Sequence, residues 1–267
     1  MTKFAFCVDS DGCAMDTMTY KHELFFGPLA ADEYEVADRE TFLKNWNDIN
    51  LYSGTRGVNR FIGLVLSLDS VAYEDDYAEL KDWVENASSL SNAALQAEIG
   101  KTGSKQLQKA LDWSNAVNKG ASEAEGHDFP FPGAKEGLAH LAELGEVYVV
   151  SSANPEAIQD EWTRHGLLDH VTEVYAQDRG SKADALAELI EKGYESHQIL
   201  MVGDSPGDLK AAEKNQVWFF PILVGKEASS WEELSEEASQ KIISGEFDQQ
   251  YQDEQIHKFW HNLGVDE

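Results

Sequence analysis

The sequence predicts an α/β protein: a Rossmann-like parallel sheet with an all-α cap inserted after its first strand and a helical tail at its C-terminus. Three observations lead there. An apolar run, Phe4-Ala5-Phe6-Cys7-Val8, ends abruptly in Asp9-Ser10-Asp11-Gly12. A long stretch of helical periodicity follows it. Past Gly126, short apolar strands alternate with amphipathic helices, the signature of a parallel sheet with crossover helices. The expected domains are a core of residues 1–14 and 127–224, a cap of residues 15–126, and an extension of residues 225–267 packed on the core.

The opening run has the length and β-propensity of a buried strand. In open parallel sheets, ligands bind beyond the carboxyl ends of the strands, so Asp9 and Asp11 stand at such a mouth. Helical spacing then recurs over residues 38–52, 57–68, 76–99 and 104–118, as in Tyr77, Leu80 and Val84, then Leu107, Ala110 and Leu111. The breaks at Ser53-Gly54, between Gly100 and Gly103, and at Gly120 read as helix connections. Because the first strand joins the later sheet across this block, the block is an insertion.

Pro130-Phe131-Pro132-Gly133 is a rigid return to the core. A helix over 134–144 and a strand over 146–150 follow, the strand closing on Ser151 and Ser152. Asn154 caps a helix that starts at Pro155. The next strand spans 171–176; Ser181, with Asp184 three residues on, caps a helix whose first residue is Lys182. A strand over 198–202 ends in Gly203-Asp204-Ser205-Pro206-Gly207-Asp208, where Ser205 caps a helix and Pro206 takes its first position. A last strand spans 217–223. The tail, residues 228–263, is acidic and helical in pattern, with Trp231, Leu234, Ile242, Phe247, Phe259 and Trp260 as its anchors. So many aromatic side chains belong against a core.

The 267 residues carry a formal net charge of -28 with no basic tract. That balance disfavours a nucleic acid or an anionic membrane as partner, and no apolar run approaches the roughly 18 residues that cross a bilayer. The N-terminus lacks the basic and long apolar regions of a signal peptide, so a cytoplasmic protein is expected. Cys7 and Cys13, its two cysteines, are then reduced thiols. With no histidine close behind it, Cys13 reads as wall rather than nucleophile.

Acidic strand ends at Asp9, Asp11, Asp204 and Asp208 in one parallel sheet make a cluster of like charge that calls for a hard cation. Mg²⁺ suits carboxylate and water ligands and works with substrate phosphate. Ser151 and Ser152 offer hydroxyl and backbone donors to such a phosphate. Lys182 opposes the dipole of its own helix, which favours an anion-binding role, since the helix N-terminus and the ammonium attract the same phosphate.

Together, Asp9-Ser10-Asp11-Gly12, Ser151, Lys182 and Gly203-Asp204 with Asp208 resemble the four motifs of the haloacid dehalogenase superfamily, in order. Ala183 stands after the lysine where relatives often have proline. The resemblance covers the α/β core, and the helical block looks like that superfamily's α-helical cap. It implies a phosphatase acting on a small organic phosphate monoester. Asp9 would then be the nucleophile forming an aspartyl phosphate, and Asp11 the acid and base. Mg²⁺ would be held by Asp9, Asp204 and the Asp11 carbonyl, with Asp208 serving the metal or Lys182. Ser151, Ser152 and Lys182 would bind phosphate. Asp11 favours phosphate esters, because dehalogenases need no acid at that position and phosphonatases resemble the pattern with alanine there. Within the cap, the break carrying Arg56 and Arg60 is the candidate substrate contact. A phosphomutase using the same intermediate and a non-catalytic binding protein on the same fold are the competing readings.

Overall fold

In the computed structural model, residues 3–124 and 126–265 are described. The expected domain boundaries also take in Met1, Thr2, Glu125, Asp266 and Glu267, which lie outside them. The chain forms two compact units, one of residues 1–18 and 126–267 and one of residues 19–125.

Five parallel strands build the sheet of the first unit: β1 (Ala5–Val8), β2 (Glu146–Val150), β3 (Glu173–Tyr175), β4 (Ile199–Gly203) and β5 (Trp218–Pro221). Their order is β3-β2-β1-β4-β5. β1 is central, with Val8 beside Val149 on one side and beside Val202 on the other. The chain winds outward from β1 through β2 to β3, then returns to β4 and winds the other way. The ends of β1 and β4 therefore flank the point where the winding reverses, which is where α/β sheets bind ligands.

Strands buried on both faces read as continuous apolar runs, and these strands do. Phe6, Val8, Val147, Val149, Leu200 and Val202 enter one core layer. Their chain neighbours Ala5, Cys7, Tyr148, Val150, Ile199 and Met201 enter the other. The first layer meets Leu138 and Leu141 of the Ala134–Leu144 helix, Trp162 of Pro155–Arg164, and Trp231 and Leu234 of the C-terminal extension. The second meets Leu186 and Leu189 of Lys182–Glu191, Leu209 of Pro206–Asn215, and Phe259 of Gln249–Asn262. Of the expected tail anchors, Trp231 and Leu234 are fully buried, with Phe247, Phe259 and Ile242 nearly so.

Helices make up the second unit, around a core holding Trp46, Trp113, Phe42, Phe61 and Leu64. Two features differ from the sequence-based expectation. The helix expected over 76–99 is two helices, Ala78–Asn86 and Asn92–Thr102. The second starts where the Ser91 hydroxyl accepts from the Ala94 amide, a cap that outweighs helical continuation. A helical segment also runs from Met18 to Glu33. It begins the second unit a few residues later than the boundary expected after residue 14.

Candidate active site

The site is built at the carboxyl ends of β1, β2 and β4. Asp9 follows β1 directly, and its amide donates to the Val202 carbonyl at 3.0 Å. The residue is 5% exposed; Oδ1 accepts the Ser10 amide at 2.7 Å, which leaves Oδ2 turned to Lys182. The chain then reverses at Gly12, whose φ of 83° lies in the left-handed region that glycine adopts without steric cost. The Ser10 carbonyl collects the amides of Cys13, Ala14 and Met15. Asp11 is held in this turn by Thr17, a fully buried residue whose hydroxyl donates to Asp11 Oδ1.

On the other side of the reversal point, Asp204 and Asp208 are buried. Asp208, in the first turn of its helix, reaches back so that Oδ2 accepts the Asp204 amide at 3.2 Å, the Ser205 amide at 3.0 Å and the Ser205 hydroxyl at 2.7 Å. Gly203 permits that close approach, because a Cβ there would stand 2.3 Å from Asp208 Cγ. Carboxylate oxygens of Asp9, Asp204 and Asp208 lie within 4.8 Å of one another.

Lys182 starts the helix after β3, behind Ser181, which accepts the Asp184 amide while Asp184 reaches back to the Ser181 amide. Its ammonium lies 2.5 Å from Asp9 Oδ2 and 2.5 Å from Asp208 Oδ1. Burial works against its charge, but Asp208 and Asp9 outweigh burial and hold its pKa above that of an ordinary lysine. Burial pushes the Asp9 carboxyl up, to about 8; Asp208 and Asp204 add to the rise and Lys182 opposes it. One ammonium against three buried carboxylates leaves negative charge uncompensated. Carboxylate oxygens alone, so close together, are the donor set of a hard divalent cation such as Mg²⁺.

Ser151, at the end of β2, is 5% exposed and donates its amide to the Tyr175 carbonyl. With Val150, Arg179, Ser181 and Lys182 it lines a narrow cleft. Ser152 is exposed and stands outside that set. The structure thus brings Asp9, Asp204, Asp208 and Lys182 together with Ser151 beside them. Asp11 sits in the adjoining turn, its carboxylate outside the three-carboxylate group. Arg56 is buried, its guanidinium donating to the Leu51 carbonyl at 2.7 Å. Arg60 donates to Ser114 Oγ at 2.9 Å and Asn118 Oδ1 at 2.7 Å, with its guanidinium over the Phe26 ring. Both make these bonds inside the helical unit.

A family model describing haloacid dehalogenase-like hydrolases matches residues 5–215. The chain belongs to that family. It is an enzyme of the hydrolase class. No curated protein sequence matches the hydrolase. Among solved structures, it is similar to a provisionally named phosphoglycolate phosphatase from Lactobacillus delbrueckii subsp. bulgaricus. The identity is 16%, the TM-score 0.52, with 83% of this chain and 86% of that one covered. It is also similar to an L-2-haloacid dehalogenase from Xanthobacter autotrophicus at 19% identity and a TM-score of 0.43, with 89% and 84% covered. At 16% identity the likeness to the Lactobacillus protein is one of fold.

Cys7 and Cys13 are buried free thiols. Burial, with Asp204 and Asp9 adding, raises the Cys13 pKa well above its ordinary value, so this thiol is wall rather than nucleophile. Sequence reasoning missed Thr17, Trp162 and Trp231, which hold the Asp9–Asp11 turn. The Trp162 indole donates to Ser10 Oγ at 2.8 Å, and that of Trp231 to the Cys13 carbonyl at 3.0 Å. Only folding brings these partners together, and no local spacing signals them.

No described helix is long and apolar enough to cross a membrane.

Proposed function

We propose that this hydrolase is a Mg²⁺-dependent phosphatase that cleaves a small organic phosphate monoester through an aspartyl phosphate on Asp9. The observation that carries the reading is the buried arrangement of Asp9, Asp204 and Asp208 around the Lys182 ammonium. Asp9, Asp204 and the Asp11 carbonyl, with Asp208, would hold Mg²⁺. When bound, the cation offsets the repulsion between an anionic nucleophile and an anionic ester.

The remaining steps belong to the chain's own residues. An Asp9 carboxylate oxygen attacks phosphorus as the ester P–O bond breaks, and Asp11 gives its proton to the departing oxygen. Asp11, now a carboxylate, takes a proton from water, whose oxygen attacks the aspartyl phosphate. Inorganic phosphate leaves, and Asp9 is regenerated. Lys182 and the Ser151 hydroxyl hold the phosphoryl oxygens and stabilise the charge that develops on them. The Ser10 amide on Asp9 Oδ1 fixes which oxygen is free to attack.

A substrate contact from Arg56 or Arg60 is part of this proposal. Replacing either with alanine then raises the KM of the physiological ester far more than that of a small aryl phosphate; equal effects remove the contact from the account.

The test is release of inorganic phosphate from a panel of monoesters and bisphosphates, phosphoglycolate among them, with Mg²⁺ and with chelator. Chelator-sensitive release that Asp9→Asn lacks supports the reading. Interconversion of phosphate isomers without release points to a phosphomutase, and no Mg²⁺-dependent phosphoryl chemistry points to a binding protein.

A further inference from the structure

We infer that Trp231 of the C-terminal extension is a positioning residue for the turn that carries Asp9 and Asp11. The family match ends at residue 215, so this role belongs to a part of the chain beyond the matched core.

The turn is pinned at two points by indole N–H groups. Trp162, from the helix after β2, donates to Ser10 Oγ at 2.8 Å, and Trp231 donates to the Cys13 carbonyl at 3.0 Å. Ser10, Cys13 and both tryptophans are fully buried. Between those two points lies Asp11, the residue that must present a carboxyl to a leaving group and a carbonyl to a cation. A buried carbonyl that loses its donor is left unsatisfied at a cost in free energy, and a turn free to shift would relieve that cost by moving Asp11.

The slot for the indole is made to its shape. A Cβ on Gly137 would stand 2.4 Å from Trp231 Cε3, and one on Gly133 would stand 3.3 Å from Trp231 Cβ. Two glycines of one helix start therefore let the ring lie against the backbone at the depth its N–H needs to reach Cys13. Trp231 is held from its own side by Ser230, whose hydroxyl accepts the Leu223 amide at 3.0 Å just past β5. The extension is thus tied to the sheet and to the Asp9–Asp11 turn at consecutive residues.

This inference rests on Asp9 and Asp11 being the reacting carboxylates, and its test has one readout that does not. Trp231→Phe keeps an aromatic ring and removes the N–H; Phe247→Leu, elsewhere in the extension, serves as a control for destabilisation alone. Amide hydrogen exchange is followed at Cys13, Ala14 and Met15, whose N–H groups all bond the Ser10 carbonyl. Trp231→Phe is expected to speed exchange at those three amides, while Phe247→Leu leaves them slow. In turnover, Trp231→Phe is expected to lower kcat about ten- to hundredfold with KM within a factor of two, the effect of a small misplacement at the reacting centre. Should Trp231→Phe not fold, Gly137→Ala, which displaces the indole, is expected to give the same pattern. Unchanged exchange in the turn, or equal changes in both Trp231→Phe and Phe247→Leu, would overturn the inference. If the wild-type chain releases no phosphate, the phosphatase reading fails by itself and the exchange result still decides the role of Trp231.

Discussion

The Lys182 ammonium lies 2.5 Å from the buried Asp9 carboxylate, with the lysine side chain itself 14% exposed. A lysine from the helix after β3 and an aspartate from the end of β1 are thereby locked into one charge system, with Asp208 on the far side of the same ammonium.

Lys182→Met removes the only cation in contact with Asp9 and Asp208 among the described residues. Breaking a buried pair from one side costs about 3 kcal/mol or more at neutral pH, and the loss of phosphoryl stabilisation costs about a hundredfold in kcat. Chemical denaturation without metal is expected to show the stability loss. A variant as stable as wild type at neutral pH contradicts the pairing.

If Asp9 holds Mg²⁺ as proposed, its raised carboxyl ties metal binding to pH. Its folded pKa, about 8, is above its value of 3.8 in the unfolded chain. Its contribution to the stability of the metal-free protein is therefore complete below the unfolded value and is lost as pH rises through about 8. Mg²⁺ competes with that proton, so the rise in Tm on adding Mg²⁺ is expected to grow as pH passes through about 8. Asp9→Asn, which cannot ionise there, is expected to flatten the dependence. A Mg²⁺ effect on Tm that does not vary with pH in wild type would contradict it.

Arg60 joins the start of the Arg60–Ser70 helix to Ser114 and Asn118 of the Lys105–Glu123 helix. Arg60→Ala removes two charge-assisted hydrogen bonds and a contact with the Phe26 ring, and is expected to cost about 2 kcal/mol. The check is a denaturant titration, read alongside the KM comparison proposed above. Unchanged stability would return Arg60 to a purely substrate-facing role.

At the edge of the sheet, the Lys192 ammonium, with Arg179, holds the Glu173 carboxyl below the usual carboxylate range. A lowered carboxyl contributes stability above its unfolded pKa and loses it as pH falls through the folded one. These side chains are more than one-third exposed or close to it. Glu173→Gln is thus expected to cost only about 0.5 kcal/mol at neutral pH, and nothing in acid or high salt. A larger loss that persists in salt would contradict a surface pairing.

What could be read from the sequence is what local chemistry decides. Continuous apolar runs ending in Asp9 and Gly203 mark strands buried on both faces. The Ser181 and Asp184 pair marks a helix start because two adjacent backbone donors need partners there. The alternation of β2 to β5 with helices fixes the parallel sheet by itself. The break between Asn86 and Asn92 was hidden because apolar spacing continues across it, and only the Ser91 cap decides where the second helix begins. The Met18–Glu33 segment interrupts its pattern with Gly27-Pro28 and gives no clean helical period. Within the site, Asp9, Asp204, Asp208, Lys182 and Ser151 were legible as strand-end and helix-start residues. Ser152 was not separable from Ser151 until β2 showed which of the two is buried. Trp231 was legible as an anchor of the tail, but the bonds of Trp162 and Trp231 to the Asp9–Asp11 turn were not, because those partners are set by tertiary packing.

The central claim is that Asp9 carries the phosphoryl group between ester and water. The most direct measurement is an acid quench of the enzyme during turnover of its preferred ester with Mg²⁺, followed by borohydride reduction and peptide mass analysis. The account predicts modification at Asp9 alone, dependent on Mg²⁺ and absent from Asp9→Asn. Phosphate release with Asp9 unmodified, or with the label on another residue, would contradict it.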